Sequence, residues 1–268
     1  MNSEKLDRLK GILREMDSVI VAYSGGLDSA FMLTIAHEVL GERALGLTAV
    51  SPSLPAREKE DAARIARDIG ARHEFVESQE IHNPKYAENP SDRCFYCKSE
   101  LYTITEATAQ ERGFAFVING TNVDDLGDYR PGIDAANNAG VRSPLVEAEL
   151  HKDEVRAIAK EMGLDFWDKP AAACLSSRIP YGTSVTPERL AQVEQLEDAL
   201  HGLGLRKVRV RYHGELARIE VGKPELEAAF AHRDAIVKAG RGAGFTFVTL
   251  DLAGYKTGSL NQLLPVLQ

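Results

Sequence analysis

Short apolar runs alternate along the chain with longer stretches in which apolar residues recur every three or four positions. Residues 18–23 form such a run and end at a glycine turn, and 30–40 then follow a helical period that stops at Gly41. The pattern predicts strand, loop, helix. Residues 44–50 read as a second buried strand, 56–69 as an amphipathic helix between Pro55 and Gly70, and 73–76 as a third strand. A helix over about 98–112, an apolar strand over 114–119 entering the turn Gly120-Thr121-Asn122, and a helix over 154–162 continue the series. Strands alternating with helices predict an α/β fold with a mostly parallel sheet covered on both faces.

Beyond Pro180 the pattern changes. Thr186-Pro187-Glu188 opens a helix with a capping Thr and a first-turn Pro, running to about residue 203. Residues 207–212 and 216–221 alternate apolar and polar positions around His213-Gly214, which predicts a hairpin. A helix over 224–239 and a strand over 245–250 complete a smaller α+β module. The expected division is therefore a domain over 1–180 and a second over 181–268.

Composition narrows the class. A chain of 268 residues with 44% hydrophobic content can bury a nucleotide-sized domain and a smaller companion. No run approaches the roughly 20 apolar residues of a membrane span, and residues 1–10 are charged and helix-like without an apolar signal core. The expectation is a cytoplasmic protein without membrane contact. A net charge of -8 disfavours broad nucleic-acid binding, although it leaves room for a local basic patch. Three cysteines and no export signal argue against a disulfide framework and for metal binding or catalysis.

The first strand runs into Ser24-Gly25-Gly26-Leu27-Asp28-Ser29 and then a helix. Backbone N–H groups and the positive end of the helix dipole converge there on an anion. The glycines allow close approach, the serines offer hydroxyls, and Asp28 is placed to hold Mg2+ between phosphates. The spacing is neither a Walker-type loop nor a dinucleotide fingerprint. An ordinary tight strand-to-helix turn is the bland alternative.

This motif resembles, at every position, the PP-loop of the ATP pyrophosphatase family. The resemblance implies a doubly wound sheet of the adenine-nucleotide α hydrolase-like type. It also implies ATP cleavage between the α and β phosphates, with a substrate oxygen attacking the α phosphate and a nucleophile then displacing AMP. Val50 and Ser51 would meet the adenine, and Gly120, Thr121 and Asn122 fit the same nucleotide rim. Asp125 and Asp128 follow in an acidic stretch that is either a solvated turn or a nucleotide and Mg2+ contact.

Cys94-Phe95-Tyr96-Cys97 reads as a C-x-x-C turn flanked by Arg93 and Lys98, neighbours that favour thiolate. Cys174 lies in a stretch of small residues. The segments Ala173-Cys174-Leu175-Ser176-Ser177-Arg178-Ile179-Pro180-Tyr181-Gly182 and Val208-Arg209-Val210-Arg211-Tyr212-His213, with the phosphate loop, resemble the LarE family of ATP-dependent sulfur transferases. These serve nickel-pincer nucleotide cofactor biosynthesis. The likeness covers nearly the whole chain. It implies a small-molecule nucleotide substrate, a pyridinium biscarboxylate mononucleotide that is adenylated and converted to a thiocarboxylate. A homo-oligomer, with a hexamer among its forms, is implied as well.

Two versions of this chemistry exist in the family. In one, a single cysteine matching Cys174 gives up its own sulfur and becomes dehydroalanine. In the other, three cysteines hold a [4Fe-4S] cluster whose open iron carries sulfide from an external sulfur donor. Cys94, Cys97 and Cys174 fit the second version. A three-cysteine zinc site completed by His or Asp, or a redox-active or inert pair, are the bland alternatives.

The period of two puts Lys207, Arg209 and Arg211 on one strand face and Val208 and Val210 on the other. Arg178 could join Arg209 and Arg211 at a substrate phosphate or carboxylate, since guanidinium forks suit both. A solvated strand face is the alternative. Glu197 matches a metal-binding acidic residue of the family. Three rivals remain: a tRNA-thiolating PP-loop enzyme, an ammonia-using synthetase, and a non-catalytic nucleotide sensor. The first lacks its basic surface here, and the second leaves the cysteines unexplained.

Overall fold

A computed structural model of the protein describes residues 2–127, 131–170 and 173–256. These form two units, one of residues 2–80 and 92–170 and the other of 81–91 and 173–256.

The first unit opens with α1 (Asn2–Met16), β1 (Val19–Ala22), α2 (Leu27–Leu40), β2 (Ala44–Val50), α3 (Ala56–Ile69) and β3 (Arg72–Glu77). After α4 (Pro84–Ala87), which belongs to the second unit, come α5 (Arg93–Arg112), β4 (Phe116–Ile118), α6 (Pro131–Asn138), α7 (Pro144–Glu147) and α8 (Lys152–Glu161). The sheet order is β3-β2-β1-β4 with every neighbouring pair parallel.

The alternation of side chains along β1 sorts the core into two faces. Val19 and Val21 pack with Leu9 and Leu13 of α1, Phe31 and Ile35 of α2, and Val155 and Ile158 of α8. Ile20 packs on the opposite side with Leu45 and Leu47 of β2, Tyr102 and Ala109 of α5, and Ala135 and Ala136 of α6. Strands buried on both faces are unbroken apolar runs, which is why β1 and β2 are legible in sequence. The resulting α/β, doubly wound sheet has its strand order reverse at β1 and β4. In such sheets ligands bind beyond the carboxyl ends of the strands at that reversal.

The second unit continues with α9 (Pro187–Gly202), β5 (Val208–His213), β6 (Leu216–Val221), α10 (Leu226–Ala231), α11 (Arg233–Gly242) and β7 (Phe247–Leu250). β5 and β6 form the antiparallel hairpin, and β7 adds in parallel beside β6. The Thr186 hydroxyl caps α9 by accepting from the Arg189 N–H at 3.4 Å.

Two expectations are corrected. The helix read over 224–239 is two helices that meet at His232, whose φ of -88° and ψ of 11° interrupt the regular turn. The helix read from 98 begins at Arg93, so the C-x-x-C segment is helical and not a turn. Among the described residues no helix is long and apolar enough to cross a membrane.

Candidate active site

The loop after β1 closes on itself. The Ser29 hydroxyl donates to the Gly26 carbonyl at 3.1 Å and accepts from the Ser24 N–H at 3.2 Å. Gly25 has φ 71°, and a Cβ there would lie 2.9 Å from Cα and Cβ of Ala62 in α3. Only glycine meets both demands. α2 begins at Leu27, so Asp28 and Ser29 stand on its first turn, where unpaired N–H groups and the dipole favour an anion.

The chain beyond β4 packs against this turn. A Cβ on Gly120 would fall 2.7 Å from the Ser29 backbone nitrogen. Gly120→Ala is therefore expected to push the two segments apart, at a cost of about 1–3 kcal/mol typical of overpacking. Weaker nucleotide binding in titration calorimetry, with the lower stability seen in denaturant melts, would check it.

Asp28 Oδ1 accepts from Asn122 Nδ2 at 3.3 Å, and Oδ2 pairs with Lys152 Nζ at 3.3 Å. Burial pushes the Asp28 pKa up; Lys152 opposes this, and the charge of Asp125 adds to it. Asn122 is fully buried and sits in a turn where its N–H donates to Asp125 Oδ2 at 3.1 Å. Its Oδ1 accepts from the Asp124 N–H at 3.0 Å. The Thr121 N–H is held by Asn119 Oδ1 at 3.0 Å. Asp124 accepts from the Lys152 N–H at 2.6 Å, fixing the start of α8 and aiming Lys152 toward Asp28.

Lys152 escaped the sequence reading. Its only local signal is a place on the first turn of a helix, an unusual position for a cation given the dipole. Asp128 lies outside the described residues.

At the end of β2, Val50 and Ser51 are half-buried. The Ser51 hydroxyl donates to Glu80 Oε1 at 2.7 Å, and the Ser53 hydroxyl donates to the same oxygen. Glu80 is itself buried.

Cys94 and Cys97 occupy the first turn of α5, three residues apart and so on one face. Cys94 is exposed and Cys97 half-buried. Cys174, exposed and extended with φ -61° and ψ 153°, precedes a short 3-10 turn over Leu175–Arg178 in the second unit. Among the described residues, no group of three or more His, Cys, Asp or Glu side chains is gathered to hold a metal ion.

The structure gives the predicted anion-binding arginines different duties. Arg178 is 2% exposed; its Nε and Nη2 donate to the two Glu197 oxygens at 3.0 and 2.9 Å. Its Nη1 donates to the carbonyls of Ala173 at 2.6 Å and Cys174 at 2.9 Å. Glu197 Oε1 also accepts from the Val210 N–H at 2.8 Å. Glu197, expected to bind metal, is thus engaged by Arg178 and the backbone of β5. Removing either partner would strand a buried charge, costing about 3–5 kcal/mol.

Val208 and Val210 face the core as the alternation predicts, but Arg211 is buried too. It pairs with Glu220 at 2.8 Å and donates to the Ser177 carbonyl at 3.0 Å, while its buried Nε has no hydrogen-bond partner among the described residues. Arg209 is half-buried, and its pKa is lowered by burial and by the charge of Arg178.

A strand running into a glycine-rich phosphate loop on a helix N-terminus, at the reversal point of a parallel sheet, defines a PP-loop nucleotide-binding protein. A sequence model of the NAD synthase family matches residues 4–95. The pyridinium-3,5-bisthiocarboxylic acid mononucleotide synthase of Lactiplantibacillus plantarum is 36% identical over 257 residues, covering 96% of this chain and 93% of that one. With this similarity along both chains, the protein belongs to the LarE-type family of PP-loop proteins. An uncharacterized protein of Synechocystis is 47% identical over 98% of this chain and 99% of its own. An uncharacterized protein of Methanocaldococcus jannaschii is 28% identical over 95% of this chain and 98% of its own.

Proposed function

We propose that the protein is an ATP-dependent sulfur transferase that adenylates a carboxylate of a pyridinium biscarboxylate mononucleotide and replaces one of its oxygens by sulfur. The observation that carries this reading is the Asp28 carboxylate on the first turn of α2 at the sheet's reversal point, in a chain 36% identical to a synthase of that product class.

ATP phosphates would lie against the loop N–H groups from Gly25 to Ser29, with Gly120, Thr121 and Asn122 as the opposite wall. Asp28 fits a Mg2+ site, since its hydrogen bonds are long, burial disfavours its charge, and magnesium on a nucleotide needs only one or two protein carboxylates. The metal would neutralise charge developing on the phosphates. Lys152 would release Asp28 and meet the phosphates instead. A substrate carboxylate oxygen then attacks the α phosphorus, the bond to the β phosphate breaks, and pyrophosphate leaves. A sulfur nucleophile attacks the acyl carbon of the mixed anhydride, and AMP departs with the carboxylate oxygen.

Ser51 and Ser53 both donate to Glu80, so Ser51 presents an acceptor, not a donor, to a base beyond β2. That suits the amino group of adenine. Glu80→Gln is expected to narrow the preference for ATP over GTP by roughly tenfold, one hydrogen bond's worth of discrimination, measurable as a ratio of kcat/KM values.

Arg209 is assigned to the substrate phosphate because its guanidinium is half-buried beside Arg178, where burial and that neighbouring charge lower its pKa and an added anion would be favourable. For the sulfur step the donor set is Cys94, Cys97 and Cys174, three thiols of the kind that hold a [4Fe-4S] cluster with one iron open; this rests on their chemistry, two lying on one face of α5 and the third being exposed, and not on a gathered group among the described residues. Bound there, the cluster would supply sulfide on its open iron.

A second reading rests on the exposure of Cys174 alone, whose own sulfur would then be donated. Anaerobic incubation with ATP, Mg2+ and the biscarboxylate, followed by mass spectrometry of small molecules and protein, tests both. Multiple turnovers with sulfide support the cluster route; a single turnover leaving dehydroalanine at 174 supports the sacrificial one. No pyrophosphate and no thiocarboxylate would refute the proposed function.

A further inference from the structure

Cys174 sits on an irregular segment at the surface, where a thiol would ordinarily wander. Its backbone does not have that freedom. Arg178 takes the carbonyls of Ala173 and Cys174, and Arg211 takes that of Ser177.

The downstream side is held by a segment from far up the chain. Asn89 is fully buried and has φ 58°, a left-handed conformation that Asn tolerates better than most residues. Its side-chain amide donates to the carbonyls of Ile179 at 3.2 Å, Pro180 at 2.8 Å and Thr183 at 2.9 Å. Its own carbonyl accepts from the Gly182 N–H at 3.0 Å. The Tyr86 hydroxyl lies 2.6 Å from that of Ser176, and the Ala87 carbonyl accepts from the Val185 N–H at 2.8 Å. Asn89 and Tyr86 thus tie residues 176–183 from one side. An amide suits the place because it donates where three carbonyls converge, whereas a carboxylate would repel them.

We propose that Asn89 and Tyr86 are positioning residues for Cys174. With the Arg178–Glu197 pair they form a strap that holds the thiol ready without touching substrate. The function of the strap rests on the reading of Cys174 as a sulfur-handling group; its geometry does not. Preorganisation of this kind matters because small misplacement of a reacting group costs large factors in rate.

The test uses the full chain with Asn89→Gly, which accepts the left-handed backbone and removes only the amide, and with Tyr86→Phe. The rate of Cys174 alkylation by iodoacetamide is resolved from that of Cys94 by peptide mass analysis. Sulfur transfer and pyrophosphate formation are followed in parallel. The expected result is a change of roughly tenfold in Cys174 alkylation for Asn89→Gly, in step with a fall in sulfur transfer. A smaller change in the same sense is expected for Tyr86→Phe, with Cys94 alkylation and pyrophosphate formation near wild type for both. Wild-type Cys174 reactivity in both variants would overturn the proposal. So would a parallel loss of pyrophosphate formation in Asn89→Gly beside unaltered Tyr86→Phe, since that marks general damage. If Cys174 reactivity shifts but wild type transfers no sulfur, the positioning role stands and the proposed function falls.

Discussion

Cys174→Ala is expected to lower thiocarboxylate formation by roughly 10³-fold or more, the scale seen when a nucleophile is removed, while pyrophosphate formation persists. The expectation follows from a division of labour within the proposed mechanism. Adenylation draws on the loop from Ser24 to Ser29 and on Asp28, all in the first unit, whereas Cys174 belongs to the second. The substitution should also spare the fold, since Arg178 grips the carbonyls of residues 173 and 174 and not the thiol. Cys94→Ala and Cys97→Ala then separate the two sulfur routes. If they match Cys174→Ala in transfer and in iron content after reconstitution, the cluster is the donor site. If they retain a single turnover, Cys174 donates its own sulfur.

Asp28→Asn should move activity and stability in opposite directions. Burial holds the Asp28 pKa above its value in the unfolded chain. The stability this group contributes is present where it is protonated, below the unfolded pKa, and is lost as pH rises through the folded one. At neutral pH the ionised carboxylate is therefore a net cost to the fold, even with Lys152 beside it. The neutral isostere should raise the Tm by a few degrees at most and flatten its dependence on weakly acidic pH. Pyrophosphate formation should fall by about 10²–10³-fold, the loss typical of one preorganised electrostatic group. With Mg2+ held at Asp28 as proposed, protons and the metal would compete for this carboxylate in wild type. The KM for MgATP should therefore rise at a higher pH on acidification than an ordinary aspartate would cause, and this dependence should vanish in Asp28→Asn. A lower Tm in the variant would show that the pairing with Lys152 outweighs burial.

The first unit was legible because its signals are local. β2 and α3 have the bounds their apolar pattern predicts, and Gly25 announces a close approach that Ala62 then makes. The apolar pattern of α5 starts late because its opening residues, Arg93-Cys94-Phe95-Tyr96-Cys97, carry no helical apolar period; Pro90 and Asp92 just ahead are the start signals. In the second unit the alternation of β5 correctly placed Val208 and Val210 inward. It gave no hint that Arg211 would be buried as well, because that depends on Glu220 across the hairpin. Arg178 with Glu197, and Asn89 with the carbonyls after 178, join residues far apart in sequence, and such pairings leave no periodic trace. Nor does any shift of composition mark residues 81–91 as a piece of the second unit.

That interrupted path has a consequence for how the molecule is made. A ribosome delivers residues 81–91 long before residue 173, so the strap emerges while its acceptors are still unsynthesised. The first unit flanks the waiting segment in sequence and can settle around its own sheet first. The thiol loop matures only when translation is nearly done. Nascent chains arrested before residue 173 would then resist proteolysis over the sheet while being cut at Tyr86, and full-length chains would resist at both places.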